Sequence, residues 1–289
     1  MSAANLRSWR YVLALIVATS IASKTRGNAF VRGAYYRLGD NDPGAVAGAV
    51  GNDPTIDSFI DSLNLSRFGS PRYSANVPSK YAASKLSMAF ANIGLGGPTV
   101  LGYYGRTTPL PAVDQGYGLE AWVNTPDVSV VLDPPVAPHL VAYNGTPGVN
   151  GFGFYEMGGN YVARIGAIDH PLGSTGSGTW HHLAYVQSFA NASYYYDGKL
   201  ISSTSTDPLP LAPTGGFWVG GRQSGVNNLD LFNGYVDEIR YQSFNPIAAG
   251  AFEPTAFLID APDPSQLALV CVAAAYGLSF RRRRRQWAW

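Results

Sequence analysis

Residues 180–203 read WHHLAYVQSFANASYYYDGKLISS, and this stretch decides the fold. Two short runs rich in Tyr, Trp, Leu and Val, residues 180–187 and 192–196, flank a brief loop, as in an antiparallel strand pair. Asp197-Gly198 then supplies a two-residue hairpin, because both residues tolerate positive φ. Asp197 is therefore a turn residue rather than a ligand. Successive side chains of a strand point to opposite faces, so the adjacent His181 and His182 cannot close on one metal ion. Packing and hydrogen bonding account for them better.

The same texture continues on both sides. Strand candidates recur at residues 34–38, 85–90, 118–124, 139–143, 152–156, 161–165, 217–220 and 232–241, separated by Gly, Pro, Asn and Asp. Nothing between residues 30 and 259 sustains a 3.6-residue apolar period, which predicts an all-β sandwich or barrel. Residues 39–78, containing GDNDPGAVAGAVGNDPT and RFGSPRYS, read as mostly loop and turn. In GLEAWVN, alternation sends Leu119, Ala121 and Val123 between two sheets and Glu120, Trp122 and Asn124 to an outer face. In LFNGYVDEIRYQSF, Val236 and Ile239 are three apart. Both can be buried only if the strand bulges near Asp237 and Glu238, which leaves Glu238 and Arg240 placed to pair along one face.

Composition agrees with a turn-rich globular body: 13% charged, 13% aromatic, 18 Tyr, 33 Gly and 20 Pro. The net charge of +1 conceals an asymmetry. Nine of the 20 basic residues lie in the first 26 positions or in the run Arg281 to Arg285, leaving 11 against 18 acidic residues between Phe30 and Asp260. The body thus carries a balance of −7, which argues against a nucleic-acid partner. Cys271 is the single cysteine, so no intramolecular disulfide can form.

The ends have a different character. Residues 1–28 place Arg7 and Arg10 before an apolar run, Tyr11 to Ala18, and then small residues at Ser20 and Ala22, the order of a secretory signal peptide. Residues 258–266 form a linker with a Pro-Asp-Pro motif. Residues 267–289 combine a 14-residue apolar run with five arginines. As a helix that run is roughly 21 Å long, short against a hydrocarbon core of roughly 30 Å. With the arginines and terminal tryptophans at the interface it predicts a transmembrane helix, its arginines cytoplasmic and the body outside. The expected localisation is exported, anchored in the membrane at least transiently, then cell surface or extracellular.

Two resemblances follow from these residues. Pro262, Asp263, Pro264 and Ser265, then the apolar run, then Arg281, Arg282, Arg283, Arg284 and Arg285 resemble the bacterial PEP-CTERM sorting signal. Asp263 stands where that family usually has Glu. The resemblance implies the membrane and an exosortase-type processing enzyme as partners. In the body, EAWV at 120–123, WHHLAYV at 180–186, YYYDGKL at 194–200 and GYVDEIRY at 234–241 resemble, in order and spacing, laminin-G-like members of the concanavalin A-like lectin and glucanase superfamily. That resemblance spans residues 30–257 and implies a jelly-roll sandwich of two antiparallel sheets. Relatives bind sugars, proteins or calcium through rim loops and the concave face.

Some members of the superfamily hydrolyse glycosidic bonds, and a retaining mechanism needs two carboxyl groups about 5 Å apart. The chain has four glutamates, Glu120, Glu156, Glu238 and Glu253, none in an E-x-D-x-x-E pattern. Glu120 is followed on its own face by Trp122 and Asn124, neither a nucleophile nor an acid. Carboxylates from separate strands remain the one route to a glycoside hydrolase. No cofactor is expected, although Asp40, Asp42, Asn52, Asp53 and Asp57 form an acidic, Gly-rich set that calcium would suit, without the ordered EF-hand pattern. Two functions are expected of such a body. One is non-catalytic binding of carbohydrate or matrix material, with Trp122, Tyr196 and Trp218 stacking on sugar faces and Asn124 bonding hydroxyls. The other is a structural or adhesive role through protein contacts.

Overall fold

The computed structural model describes residues 30–59, 63–79, 84–90, 102–111, 116–126, 138–176, 178–188, 191–205, 213–224 and 228–244. The expected terminal helices, the linker, the sorting motif and Glu253 lie outside them. Among the described residues every regular element is a strand. In chain order these are β1 (Phe30–Tyr36), β2 (Ser66–Gly69), β3 (Arg72–Ser74), β4 (Ser87–Phe90), β5 (Gly102–Arg106) and β6 (Gly116–Asn124). The middle of the chain supplies β7 (His139–Thr146), β8 (Asn150–Met157), β9 (Asn160–Ile165), β10 (Ile168–Ser174), β11 (Trp180–Ser188) and β12 (Asn191–Tyr196). The last five are β13 (Lys199–Thr204), β14 (Gly216–Val219), β15 (Gln223–Ser224), β16 (Asn228–Leu229) and β17 (Gly234–Phe244).

All the pairings are antiparallel. One sheet runs β13-β12-β11-β6-β17-β4-β3, with β1 also on β17; the other runs β10-β9-β8-β7-β14-β5-β2; β15 and β16 form a small ribbon. This is the two-sheet jelly roll expected of the sequence. The deciding stretch behaves as its residues dictate. β11 and β12 pair from Leu183↔Tyr196 to Ser188↔Asn191, and Asp197 and Gly198 turn into β13 with φ of 50° and 75°.

The core forms where the inner faces meet. Leu119, Ala121 and Val123 join it, as do Leu183 and Tyr185 from β11, and Phe152, Phe154 and Phe217 from the opposite sheet. Phe152 packs across the gap on Tyr117 at 4.5 Å, Tyr185 at 5.6 Å and Tyr241 at 6.1 Å between ring centroids. Burying a side chain of that size is worth about 1.5–3 kcal/mol, so this aromatic cluster contributes much of the cohesion between the sheets. The bulge in β17 is present too. The register slips between Asp237 and Arg240, Glu238 takes a φ of 49°, and both Val236 and Ile239 are buried in the core.

Residues 39–78 are mostly turn, but they also supply the short strands β2 and β3 and three isolated bridges, Tyr36↔Asp57, Val50↔Arg72 and Thr55↔Leu65. The acidic residues there organise the loop. Asp42 accepts from the Thr55 and Tyr73 hydroxyls and from the Ile56 amide. Asp57 accepts from the amides of Tyr35, Phe59 and Leu63. Asp42 and Asp57 are buried, and their oxygens satisfy hydroxyl and backbone donors that would otherwise lack partners. Among the described residues no group of three His, Cys, Asp or Glu side chains is arranged to hold a metal ion.

Candidate functional site

The outer faces of the two sheets differ. On the eight-stranded sheet, β6 presents Glu120, Trp122 and Asn124 outward, and all three are buried, at 2%, 1% and 1% exposure. Glu120 sits between Arg240 of β17 and His182 of β11, with His182 Nε2 2.8 Å from its Oε2. Trp122 meets the His182 ring edge-on at 5.4 Å. Asn124 donates to the Gly178 carbonyl at 3.0 Å. The expected Glu238–Arg240 pair is replaced by a crossed arrangement. Because the bulge turns Glu238 out of register, it accepts from Tyr35 and pairs with Arg37, while Arg240 reaches Glu120. Asp237, fully buried beside Glu238, accepts from Ser84. Burial pushes the carboxyls of both Asp237 and Glu238 upward; Glu238 is partly held down by Tyr35 and Arg37.

The outer face of the seven-stranded sheet is aromatic. Phe68 of β2 stands opposite Tyr103 of β5, and their rings stack at 4.7 Å. Trp218 of β14 stands opposite Gly105, edge-on to Tyr103 at 5.9 Å and tilted to Phe68 at 6.1 Å. Gly105 is required there: a Cβ on it would lie 2.1 Å from the Trp218 ring. Phe68 is 37% exposed and Trp218 is half-buried, so three adjacent strands hold a partly open aromatic surface.

The surface continues inward along the sheet. Trp218 packs on a cluster of Leu140, Tyr143, Tyr155 and Val162, and Tyr143 and Tyr155 meet edge-on at 5.6 Å. Arg164 lies over the Tyr155 ring at 4.7 Å and is held by two hydrogen bonds to Asp169, at 2.6 and 2.7 Å. Beyond β14, Leu140 donates its amide to the Asp230 carbonyl at 3.2 Å, and Arg222 pairs with Asp230 at 2.8 Å. Burial raises both phenols above the ordinary tyrosine value, while the charges of Arg164 and Arg222 oppose it.

The four residues singled out for ligand contact do not converge. Trp122 and Asn124 are enclosed on the eight-stranded sheet. Tyr196 is half-buried at its end of β12, stacked on His181 at 4.8 Å and donating to the Ser174 carbonyl at 2.6 Å; burial pushes its phenol up to about 12. Trp218 alone stands in an aromatic surface of the other sheet. Its neighbours Phe68 and Tyr103 were missed because RFGSPRYS reads as loop and the Gly-flanked GYYGR gives little strand signal. Two rings separated by 35 residues offer no local pattern.

The fold and this surface define a concanavalin A-like sandwich with an open aromatic face. Residues 104–244 match the family model of the concanavalin A-like lectin/glucanases superfamily, of the laminin G type. The resemblance drawn from the motifs of that segment is borne out. A search of the curated proteins finds no match. Among solved structures the chain is similar to domain 4 of AbnA, an extracellular arabinanase from Geobacillus stearothermophilus, in complex with arabinotriose. The identity is 13%, with 78% of this chain and 95% of that one covered and a TM-score of 0.50. It is also similar to a Trypanosoma rangeli sialidase mutant displaying trans-sialidase activity, at 14% identity, 78% and 32% coverage and a TM-score of 0.50. A third is the binding domain of Paraclostridial Mosquitocidal Protein 1, at 13% identity, 73% and 49% coverage and a TM-score of 0.50. The chain thus spans about a third of the sialidase and half of the mosquitocidal binding domain. At these identities the likeness concerns the fold.

Proposed function

We propose that the protein is a non-catalytic carbohydrate-binding domain, exported and sorted to the cell surface, which holds glycan or matrix material on the outer face of its seven-stranded sheet. The aromatic surface of Phe68, Tyr103 and Trp218 carries this reading. Flat rings held at fixed spacing suit the apolar faces of sugar rings, and the fold is shared with an arabinanase domain seen with arabinotriose. The described glutamates favour binding over hydrolysis: Glu120 and Glu238 are buried in ion pairs, and Glu156 is engaged by His139 and the Gly159 amide. The N-terminal pattern and the arginine-terminated tail support export and processing by an exosortase-type enzyme at the membrane. Among the described residues no helix is long and apolar enough to cross a membrane, and both terminal segments lie outside that set.

The test is a glycan array probed with the full-length protein in detergent. Reproducible binding to one glycan class, lost in Trp218→Ala, is the expected result. A blank array together with self-association would favour the second reading, an adhesive role. One observation supports that alternative: β13 is a terminal strand with Leu200 and Ile201 at 56% and 45% exposure.

A further inference from the structure

The Tyr143 and Tyr155 hydroxyls are the starting point. Both oxygens are buried, and neither has a hydrogen-bond partner among the described residues. A buried polar atom without a partner is rare in native proteins and needs a physical reason. Two such atoms on contacting rings are less easily explained by packing alone, since Phe would fill the same space without the desolvated oxygen.

Their surroundings suggest the reason. Two ion pairs, Arg164–Asp169 and Arg222–Asp230, lie near enough to act on the two phenols, and their four charges sum to zero. Arg164 is held by a two-point contact with Asp169, whereas the Arg222–Asp230 pair is a single contact from Nε to Oδ2. Both pairs reach solvent, Arg164 and Asp169 at 18% and 30% side-chain exposure and Arg222 and Asp230 at 20% and 23%, so the single contact is what makes the second pair the easier one to open. The phenols can donate or accept, and the Trp218 ring packed on their cluster offers an apolar face.

We infer that Tyr143, Tyr155, Arg222 and Asp230 form a subsite for adjacent hydroxyls of a neutral sugar whose ring lies against Trp218. The inference rests on the carbohydrate-binding reading and narrows it. A diol supplies both donors and acceptors, which matches two phenols, a guanidinium and a carboxylate. A carboxylate-bearing sugar would bring a net negative charge to a cluster that is already balanced, and into a body with an acidic excess. The sugar enters by opening the Arg222–Asp230 contact, and the two phenols gain hydrogen bonds on binding.

The experiment uses the full-length protein and its Tyr143→Phe, Tyr155→Phe and Trp218→Ala variants. Methyl glycosides of glucose, galactose and arabinose are titrated against tryptophan fluorescence, with galacturonate as the charged comparison, and each Tm is recorded without sugar. The expected pattern is an unchanged or raised Tm in both Phe variants, with affinity for the best neutral glycoside lowered fivefold or more, and weaker binding of galacturonate than of galactoside. A Tm that falls in the Phe variants overturns the inference, because the hydroxyls would then have internal partners. Phe variants that bind like the wild type overturn it as well, and if Trp218→Ala alone loses affinity the carbohydrate-binding reading stands without the subsite. Full affinity in Trp218→Ala, or no binding of any glycoside by the wild type, overturns both.

Discussion

The two outward faces of this sandwich both carry polar and aromatic residues but put them to different use. On the eight-stranded sheet, Glu120, His182 and Arg240 form one bonded group and Ser84, Asp237, Glu238, Tyr35 and Arg37 another, with all three carboxylates buried. On the seven-stranded sheet, Phe68 and Trp218 remain partly open beside two phenols that have no hydrogen-bond partner among the described residues. Chemical richness therefore does not by itself mark a site. A network of mutually bonded charges fixes the structure, while partly open rings can accept a ligand.

The largest expected effect breaks the first face. Arg240→Met leaves Glu120 buried with one counter-group fewer, and stranding a buried charge costs about 3–5 kcal/mol. Chemical denaturation should show that loss, and a change below about 1 kcal/mol would mean that the network is not what organises this face. Gly105→Ala sharpens the second. Its methyl group collides with the Trp218 ring, so the ring must lift, at a cost of about 1–3 kcal/mol. Denaturation measures the cost, and near-ultraviolet circular dichroism should report the moved tryptophan. An unchanged spectrum would contradict the close approach.

Acidity gives a smaller effect. Asp237 has its proton affinity raised by burial, with Glu238 as a negative neighbour. A carboxyl raised in the folded state contributes stability that is complete below its unfolded pKa and lost as pH rises through its folded value. Asp237→Asn should therefore flatten the decline of stability above the ordinary carboxylate range, by about 1.4 kcal/mol for each tenfold change in proton affinity removed. Thermal melts from pH 4 to 9 would show it, and a steeper decline in the variant would refute the sign. The smallest expected effect is that of calcium. With Asp42 and Asp57 committed to backbone donors, millimolar calcium should leave Tm unchanged, and an upward shift of several degrees would overturn this account of the loop.

Much of this architecture was legible in the residues. Alternation in GLEAWVN, the Asp197-Gly198 hairpin and the Val236–Ile239 spacing each carried a local rule that the fold obeys. What escaped was non-local or atypical. β10 contains Pro171 and sits at a sheet edge, where proline is tolerated, and β2 and β3 have only four and three residues. The site was less legible for a related reason. Periodicity assigns Trp122 to the outer face but says nothing of whether that face is covered. Trp218 acquires its role only when β2 and β5 bring Phe68 and Tyr103 alongside it.

The central claim, that sugar is held on the outer face of the seven-stranded sheet, is tested most directly by the dissociation constant of the array's strongest glycan for wild type and Trp218→Ala. The account predicts at least about a tenfold weakening, near 1.4 kcal/mol, with the fold intact by circular dichroism. Equal dissociation constants for the two proteins would contradict it.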